Sequence, residues 1–140
     1  MPRADFYLIA KDRFRAEPLR LVCELARKAY EANLWTLVLA RDAQQAEELD
    51  ELLWDMGDDA YLPHQIAGDE EDELTPILIA TPDTDAALRP LVINLRDAAV
   101  EGSFDRVLEV VPVDESAREP LRARWTQYKA RGMDVTKHDM

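Results

Sequence analysis

Apolar and polar positions along the first 56 residues follow two alternating patterns. A short apolar run over 5–10 predicts a buried strand, and apolar residues at helical spacing over 17–33 predict an amphipathic helix. The same order recurs, with an apolar run over 35–40 and helical spacing over 42–56. The pattern therefore predicts two consecutive strand–helix units.

Each of these helices has one apolar face that we expect to point inward. On the first helix the apolar positions are Leu19, Val22, Cys23, Ala26, Ala29 and Tyr30. The second helix has Ala46, Leu49 and Leu53 on its apolar face, and Asp42 stands where an N-cap is expected. Both faces are predicted to pack on the strands.

The second half of the chain contains three more apolar runs, which predict strands at 77–80, 91–95 and 106–112. An irregular acidic stretch over 59–76 precedes them, and a helix beginning near Asp114 follows them. Apolar strands separated by helices are typical of a parallel sheet covered on both faces. We predict one α/β domain over 1–140, Rossmann-like, with a mostly parallel sheet and helices on both faces.

Composition narrows the setting of this domain. A single cysteine cannot form an internal disulfide, and no charged segment followed by an apolar one opens the chain, so we expect a cytoplasmic protein. The apolar runs are too short for a membrane helix, so no membrane partner is expected. The net charge of −12 disfavours direct DNA binding, because phosphate contacts rely on lysine and arginine. The acidic run at 68–74 is interpreted as a solvated loop, with repulsion of DNA as the other interpretation.

The sequence offers little support for a phosphate-binding loop or for the phosphoacceptor site of a receiver domain. The four glycines stand at 57, 68, 102 and 132, and none forms a dinucleotide or phosphate loop, so no cofactor is expected. Asp12 and Asp42 each follow a predicted strand, as in phosphoacceptor receiver domains, but the lysine that such domains place after a later strand has no counterpart. A receiver-like or nucleotide-responsive signalling domain therefore remains the alternative function, followed by a degenerate enzyme of Rossmann type.

Candidate nucleophiles and metal ligands are equally sparse, so we predict no catalytic site. Cys23 lies on the inward face of the first helix and is interpreted as a core residue. His64 and His138 lack further ligands at zinc spacing, and we interpret them as a loop histidine and a frayed-tail histidine. No metal is expected.

A series of short motifs does resemble a known family. In chain order they are FYL at 6–8, LVCELA at 21–26, LDELLW at 49–54, PHQIAG at 63–68, VINLR at 92–96, LEVVP at 108–112 and a final R...RARW..YK..GM beginning at Arg118. Their joint order resembles the chi subunit of bacterial DNA polymerase III, an accessory protein of the clamp-loader assembly. The resemblance covers almost the whole chain.

The resemblance implies a non-catalytic adaptor with two binding surfaces. Members of the family bind the psi subunit of the clamp loader, and a helicase-like protein uses that surface in some members. The residues that correspond to it here are Trp54, Tyr61, Leu62, Pro63 and Val111. A purely structural interpretation, in which Trp54 and Tyr61 cover a sheet edge, stays open. The other surface binds the acidic C-terminal tail of single-stranded DNA-binding protein.

The tail-binding residues implied by the resemblance lie in a basic segment of this acidic chain. RARWTQYKAR, at 122–131, carries a charge of +4 and leaves −16 on the other residues. The residues expected to bind the tail are Arg118, Arg122, Trp125, Tyr128 and Lys129. Four of them, all except Tyr128, are spaced to form one stripe along a helix. An arginine in this stripe could bind a terminal carboxylate, and Trp125 could contact an apolar side chain.

An alternative makes Leu121, Trp125 and Tyr128 the inner face of this helix, with the arginines on its solvated side. The choice between core and site is open for Trp125. Thr126 departs from the family, whose members can carry a basic residue there.

Overall fold

The computed structural model describes residues 2–55, 62–112 and 114–140, and one seven-stranded sheet runs through them. All of its strand pairs are parallel. The strands are β1 Arg3–Leu8, β2 Thr36–Leu39, β3 His64–Ile66, β4 Ile77–Ala80, β5 Leu91–Asn94, β6 Arg106–Val111 and β7 Asp134–Asp139. The α-helices are α1 Asp12–Arg15, α2 Leu19–Glu31, α3 Ala43–Trp54 and α4 Arg118–Ala130. Short 3-10 helices cover Asp72–Leu74 and Glu115–Ala117.

The strand order β3-β4-β2-β5-β6-β1-β7 explains why helices cover both faces. From β1 the chain passes through α2 to β2 and through α3 to β3, always in one direction across the sheet. From β6 it passes in the opposite direction through α4 to β7. Because parallel crossovers are right-handed, reversing the direction moves the helix to the other face. The predicted α/β fold, with its mostly parallel sheet, is confirmed.

Two apolar layers follow from this arrangement. Val38 and Ile93 point toward α2 and α3, in a cluster that includes the buried face of both helices. Phe6, Val92 and Val107 point the other way, and α4 packs on them through Tyr128 and Trp125. Successive residues of β5 thus belong to different layers, as the alternation of side chains along a strand requires.

The predicted helix details are largely confirmed. The Asp42 carboxylate accepts a hydrogen bond from the Gln45 N–H at 2.8 Å, which makes it the N-cap of α3. Ala46, Leu49 and Leu53 are buried, as predicted. The face predicted for α2 was wrong at Tyr30, which is exposed, because buried Leu21 and Leu25 rotate that face toward α1 and its buried Phe14. No helix of the described ranges is long and apolar enough to cross a bilayer.

Two edge strands were missed, and both histidine interpretations were wrong. His64 begins β3 and is buried, with Nδ1 2.6 Å from the Leu62 carbonyl oxygen. His138 lies in β7, where Nε2 is 2.8 Å from Asp5 Oδ1 and the ring stacks on Tyr7. Edge strands need no continuous apolar run, since one side has no neighbouring strand. β3 is also only 3 residues long.

The β4–β5 and β5–β6 connections are loops rather than helices. Residues 81–90 and 95–105 contain no helix. Leu88, Val100 and Phe104 from these loops pack beside α4 on the same face of the sheet. Loop side chains therefore cover part of this face of the sheet, beside α4.

Candidate functional site

A groove lies between α4 and the β1–β7 edge of the sheet. Its volume is about 420 Å³. It is lined by Phe6, Leu8, Leu121, Arg122, Trp125, Thr126 and Lys137. The groove combines apolar walls with two cationic side chains, a combination suited to an apolar group that carries a negative charge.

Trp125 belongs to both the core and the groove. Its ring centroid lies 5.2 Å from that of Phe6, which is fully buried under α4. The rest of the indole is partly exposed and forms one wall of the groove. The two interpretations of this residue are therefore compatible, because the inner edge packs while the outer face stays accessible.

Arg122 and Lys137 approach the groove from two different elements. Arg122 projects from α4 and is exposed, and Lys137 projects from the edge strand β7 and is also exposed. Thr126 lies one turn after Arg122 and contributes no charge to the wall. The cationic character of this groove thus depends on one helix residue and one strand residue.

The other exposed residues of the predicted stripe flank the groove rather than line it. The Lys129 Nζ lies 5.7 Å from the Trp125 ring centroid, within the range of a cation–π contact. Arg118 lines an adjoining hollow, which shares Leu8 and Leu121 with the groove but also contains acidic residues such as Asp139. Arg118 therefore lies in a less positive setting than Arg122.

Tyr128 does not belong to an accessible surface. It is fully buried, its hydroxyl donates to Glu109 Oε2 at 2.6 Å, and the Tyr128 hydroxyl oxygen accepts the Val100 N–H at 3.0 Å. Burial and the neighbouring Glu109 carboxylate raise the pKa of Tyr128, so its hydroxyl stays protonated. The expected contact of Tyr128 with a peptide is wrong, because its ring and hydroxyl are both enclosed between α4 and the sheet.

Glu109 is the centre of a buried polar cluster beneath α4. Burial raises its pKa, and the Arg124 charge, the Tyr128 hydroxyl and the Asn94 amide oppose that rise. The Arg124 Nε lies 2.9 Å from Glu109 Oε1, and Nη1 donates to the Asp97 carbonyl oxygen. Arg124 is thus part of the core, although it belongs to the basic segment 122–131.

Arg131 is also engaged within the protein. It donates to the Val100 carbonyl oxygen at 2.6 Å and pairs with Glu101 at 2.8 Å. Of the four basic residues in 122–131, Arg124 and Arg131 therefore have internal partners, whereas Arg122 and Lys129 remain on the exposed side.

The surface expected around Trp54 is only partly accessible. Trp54 is 60% exposed, and its ring lies 5.2 Å from that of His64 in an edge-to-face arrangement. Pro63 is half-buried, but Leu62 and Val111 are buried, so their side chains offer little contact area and their expected role as direct contacts is wrong. Tyr61 lies outside the described residues.

The carboxyl ends of the strands, where α/β proteins commonly bind nucleotides, are occupied by the protein's own groups. The N–H groups of Ala10 and Lys11 after β1 donate to the Met140 carbonyl oxygen at 2.5 and 2.7 Å. Arg96 donates to the carbonyl oxygens of Ala40 and Ala80, after β2 and β4. Asp42, a receiver-type candidate, is used as the cap of α3, and Asp12 is exposed on α1.

The described residues offer neither an activated thiol nor a metal-binding group. Burial raises the pKa of the Cys23 thiol to about 12, which keeps it protonated at neutral pH. The described residues contain no group of three histidine, cysteine or acidic side chains arranged to hold a metal ion.

A comparison with protein families identifies the class of the chain. The family described as DNA polymerase III chi subunit, HolC, matches residues 1–136. The chain belongs to this family.

Relatives of the chi family match the chain over nearly its full length. The chain is 32% identical over 143 residues to DNA polymerase III subunit chi of Pseudomonas aeruginosa, and the alignment covers 99% of this chain and 96% of that protein. It is 29% identical over 141 residues to the subunit of Escherichia coli K12, covering 96% of each. The subunit of Haemophilus influenzae is 25% identical over 140 residues, covering 98% of this chain and 96% of that protein.

Solved structures of other proteins share the fold of this chi-family chain. A DEAD box protein from the hyperthermophile Methanococcus jannaschii aligns with a TM-score of 0.57 at 15% identity, covering 99% of this chain and 42% of that one. T4 UvsW aligns with a TM-score of 0.62 at 10% identity, covering 99% and 41%. The chain thus spans about two fifths of each, and the likeness concerns the fold alone.

Sequence reasoning missed Lys137 as part of the groove of this chi-family chain. The segment after α4 was not assigned to a strand, so nothing placed Lys137 near α4. The signal was weak but present, because β-branched Val135 and Thr136 favour a strand. Val135 packs against the same core cluster as Trp125.

Proposed function

We propose that this chi-family protein is a non-catalytic adaptor in DNA replication, with 1–140 acting as one chi-type domain. In this proposal the groove beside α4 binds the acidic C-terminal tail of single-stranded DNA-binding protein. A second surface around Trp54 binds a psi-type subunit of the clamp loader or, in its place, a helicase-like protein. Family membership and the chemistry of the groove support the proposal.

The observation that carries the proposal is an apolar groove with Arg122 and Lys137 at its sides. A peptide that ends in an apolar residue presents a hydrophobic side chain and a carboxylate on the same residue. Trp125 and the apolar groove walls would contact that side chain. Arg122 would bind the carboxylate through two parallel hydrogen bonds, and Lys137 would add a second positive charge.

Charges outside the groove favour the same class of peptide. Lys129 and Arg118 are exposed on the stripe that contains Arg122. They would attract acidic residues that precede the end of the tail, through contacts that salt screens. The net charge of −12 opposes wrapping of DNA, so we expect the domain to reach DNA through a protein partner.

The proposed second surface has one well-placed anchor. An exposed tryptophan at the end of a helix is a typical centre of a protein–protein contact. Trp54 ends α3 and lies against His64 at the β3 edge, which holds the indole from below. Leu62 and Val111 would support this surface from the interior, and Pro63 would lie at its side.

We propose that the protein has no catalytic role, because the groups that could bind phosphate or act as a nucleophile already have structural roles. The N–H groups of Ala10 and Lys11 already have an acceptor, and Asp42 caps α3. Cys23 is buried with a raised pKa. These groups therefore have structural roles that compete with phosphate binding or nucleophilic attack.

A capture experiment from cell extract tests both surfaces. The immobilised full-length protein is expected to retain single-stranded DNA-binding protein and either a clamp-loader subunit or a helicase. Arg122→Ala should lose the first, Trp54→Ala should lose the second, and the exposed-residue control Arg15→Ala should retain both. Loss of both partners in each variant, or recovery of neither by the unaltered protein, would contradict the proposal.

A further inference from the structure

A second cleft lies at the amino-terminal ends of β2, β4 and β5, on the half of the sheet away from β7. Its volume is about 470 Å³. Its lining includes Trp35 and Arg89, and its carboxylates are those of Asp69, Glu70, Asp72, Glu73 and Asp85. We refer to it as the acidic cleft.

The acidic cleft is lined by an exposed tryptophan as well as by charges. Trp35 is 41% exposed. Its neighbour Leu34 is similarly exposed, and Leu74, next to the lining residue Glu73, is 76% exposed. Leu34 and Leu74 do not themselves line the cleft, so Trp35 is its large exposed aromatic contact. Tryptophan is frequent at the centre of protein–protein contacts.

Arg89 fixes the base of the cleft without neutralising its rim. Its guanidinium donates to four carbonyl oxygens, those of Thr36, Asp72, Thr75 and Pro76, and it lies 5.1 Å from the Trp35 ring centroid. These contacts join the start of β2 to the acidic segment. The segment 68–74, predicted to be a solvated loop, is therefore tied to the sheet.

Three carboxylates at the rim of the cleft are accessible to an external partner. No ion pair among the described residues involves Glu70, Glu73 or Asp85, and all three are exposed. Asp72 is committed internally, because it accepts hydrogen bonds from the Gly68 and Asp69 N–H groups. The cleft thus has a rigid base and an unneutralised negative rim.

We propose that the acidic cleft binds a basic protein segment that carries lysine or arginine beside a large apolar residue. The carboxylates attract the cations, and Trp35 offers an aromatic surface to an apolar or a cationic group. The rim repels phosphates, so the charge excludes nucleic acid as the occupant. This surface is separate from the α4 groove and from Trp54, and it goes beyond the function proposed above.

The test uses the full-length protein and a synthetic peptide of alternating lysine and leucine. Binding is followed by amide chemical shifts in two-dimensional NMR, and self-association is followed by sedimentation velocity. Peptides of alternating lysine and serine, and of alternating glutamate and leucine, separate the charge from the apolar contribution. The variant Glu70→Gln/Glu73→Gln removes two rim charges, and Glu47→Gln/Glu51→Gln removes two exposed charges from α3 as the matched control.

The proposal expects shifts at residues 34–35, 69–74 and 88–89 with the lysine–leucine peptide. The affinity should fall about tenfold in Glu70→Gln/Glu73→Gln and in Trp35→Ala, and remain unchanged in the control. Equal weakening in the control variant, shifts confined to other surfaces, equal binding of the glutamate peptide, or no binding at millimolar peptide would overturn it. Self-association that Glu70→Gln/Glu73→Gln abolishes would also overturn it, in favour of a second copy of the chain. Tail binding at Arg122 should be unaffected by these variants, so failure here is distinguishable from failure of the adaptor function.

Discussion

Arg122 and Arg124 are two residues apart on α4, yet they belong to opposite faces of the helix. Arg122 is exposed at the groove, and Arg124 is buried against Glu109. The inner face is organised by the Glu109 cluster and determines how α4 packs on the sheet. The outer face carries the charges that a partner can reach. The net charge of a segment therefore does not measure the charge that it presents to a partner, because part of it is neutralised in the core.

Arg124→Ala should give the largest loss of stability among the changes considered. It would leave Glu109 buried without its cationic partner, and breaking a buried ion pair in this way costs about 3–5 kcal/mol. Arg122→Ala, as the matched exposed control, should change the free energy of unfolding by less than about 0.5 kcal/mol. Urea denaturation of both variants measures the difference, and similar losses in the two would remove the distinction between the faces.

Asp5→Asn should weaken the attachment of β7, the strand that brings Lys137 to the groove. Asp5 is buried and accepts hydrogen bonds from Thr136 and His138 of β7 and from Arg106. Burial raises its pKa, but these donors outweigh burial and hold it well below the usual value. We expect a loss of about 2 kcal/mol at neutral pH from the mismatched donors.

The stability that Asp5 supplies should depend on pH. Because its pKa is lower in the folded protein, its contribution is complete above the unfolded value of about 4 and is lost as the pH falls below it. The difference in unfolding free energy between the unaltered protein and Asp5→Asn should therefore shrink from pH 6 to pH 2. Denaturation midpoints across that range test this, and a constant difference would contradict it.

Tyr128→Phe should have a smaller effect on the inner face. The ring would still pack on Phe6, but the Val100 N–H would lose its acceptor and Glu109 would lose a donor. We expect a loss of about 1.5 kcal/mol in unfolding free energy. The tail affinity of the folded variant should stay unchanged, because the hydroxyl is buried. A selective loss of affinity with full stability would instead place Tyr128 in the binding surface.

Lys137→Ala should have the smallest effect, and it concerns the outer face. An exposed lysine contributes a screened charge rather than a directed pair of hydrogen bonds. We expect tail affinity to fall by about 0.5 kcal/mol, with a weaker salt dependence and unchanged stability. Peptide titration at two salt concentrations measures this. A loss as large as that of Arg122→Ala would make the strand residue the main carboxylate ligand.

The sequence predicted the central strands and the longer helices because their apolar periodicity is strong. The runs at 77–80 and 106–112 contain buried strands flanked on both sides, and Asp42 is an N-cap with a clear local signature. β7 escaped prediction because an edge strand can be polar. Because β7 was not predicted, the position of Lys137 beside α4 was not predicted either.

The candidate site was predictable only where helical spacing decides the geometry. The stripe of Arg118, Arg122 and Lys129 is exposed on α4, as spacing implies. Helical spacing could not reveal that Glu109 on β6 contacts both Arg124 and Tyr128 on the inner face of α4. Buried pairs between distant segments depend on the tertiary packing of α4 on β6, which no local pattern encodes.

Calorimetric titration with an acidic tail peptide, with and without its terminal apolar residue, tests the proposed tail-binding role of Arg122 most directly. Arg122→Ala should cost about 2 kcal/mol of binding free energy, because it removes a charge-assisted pair of hydrogen bonds. Arg122→Lys should restore only part of that loss, Arg15→Ala should bind normally, and the truncated peptide should bind weakly to every variant. Unchanged affinity in Arg122→Ala, or equal binding of the truncated peptide, would contradict a groove that binds an apolar residue together with its carboxylate.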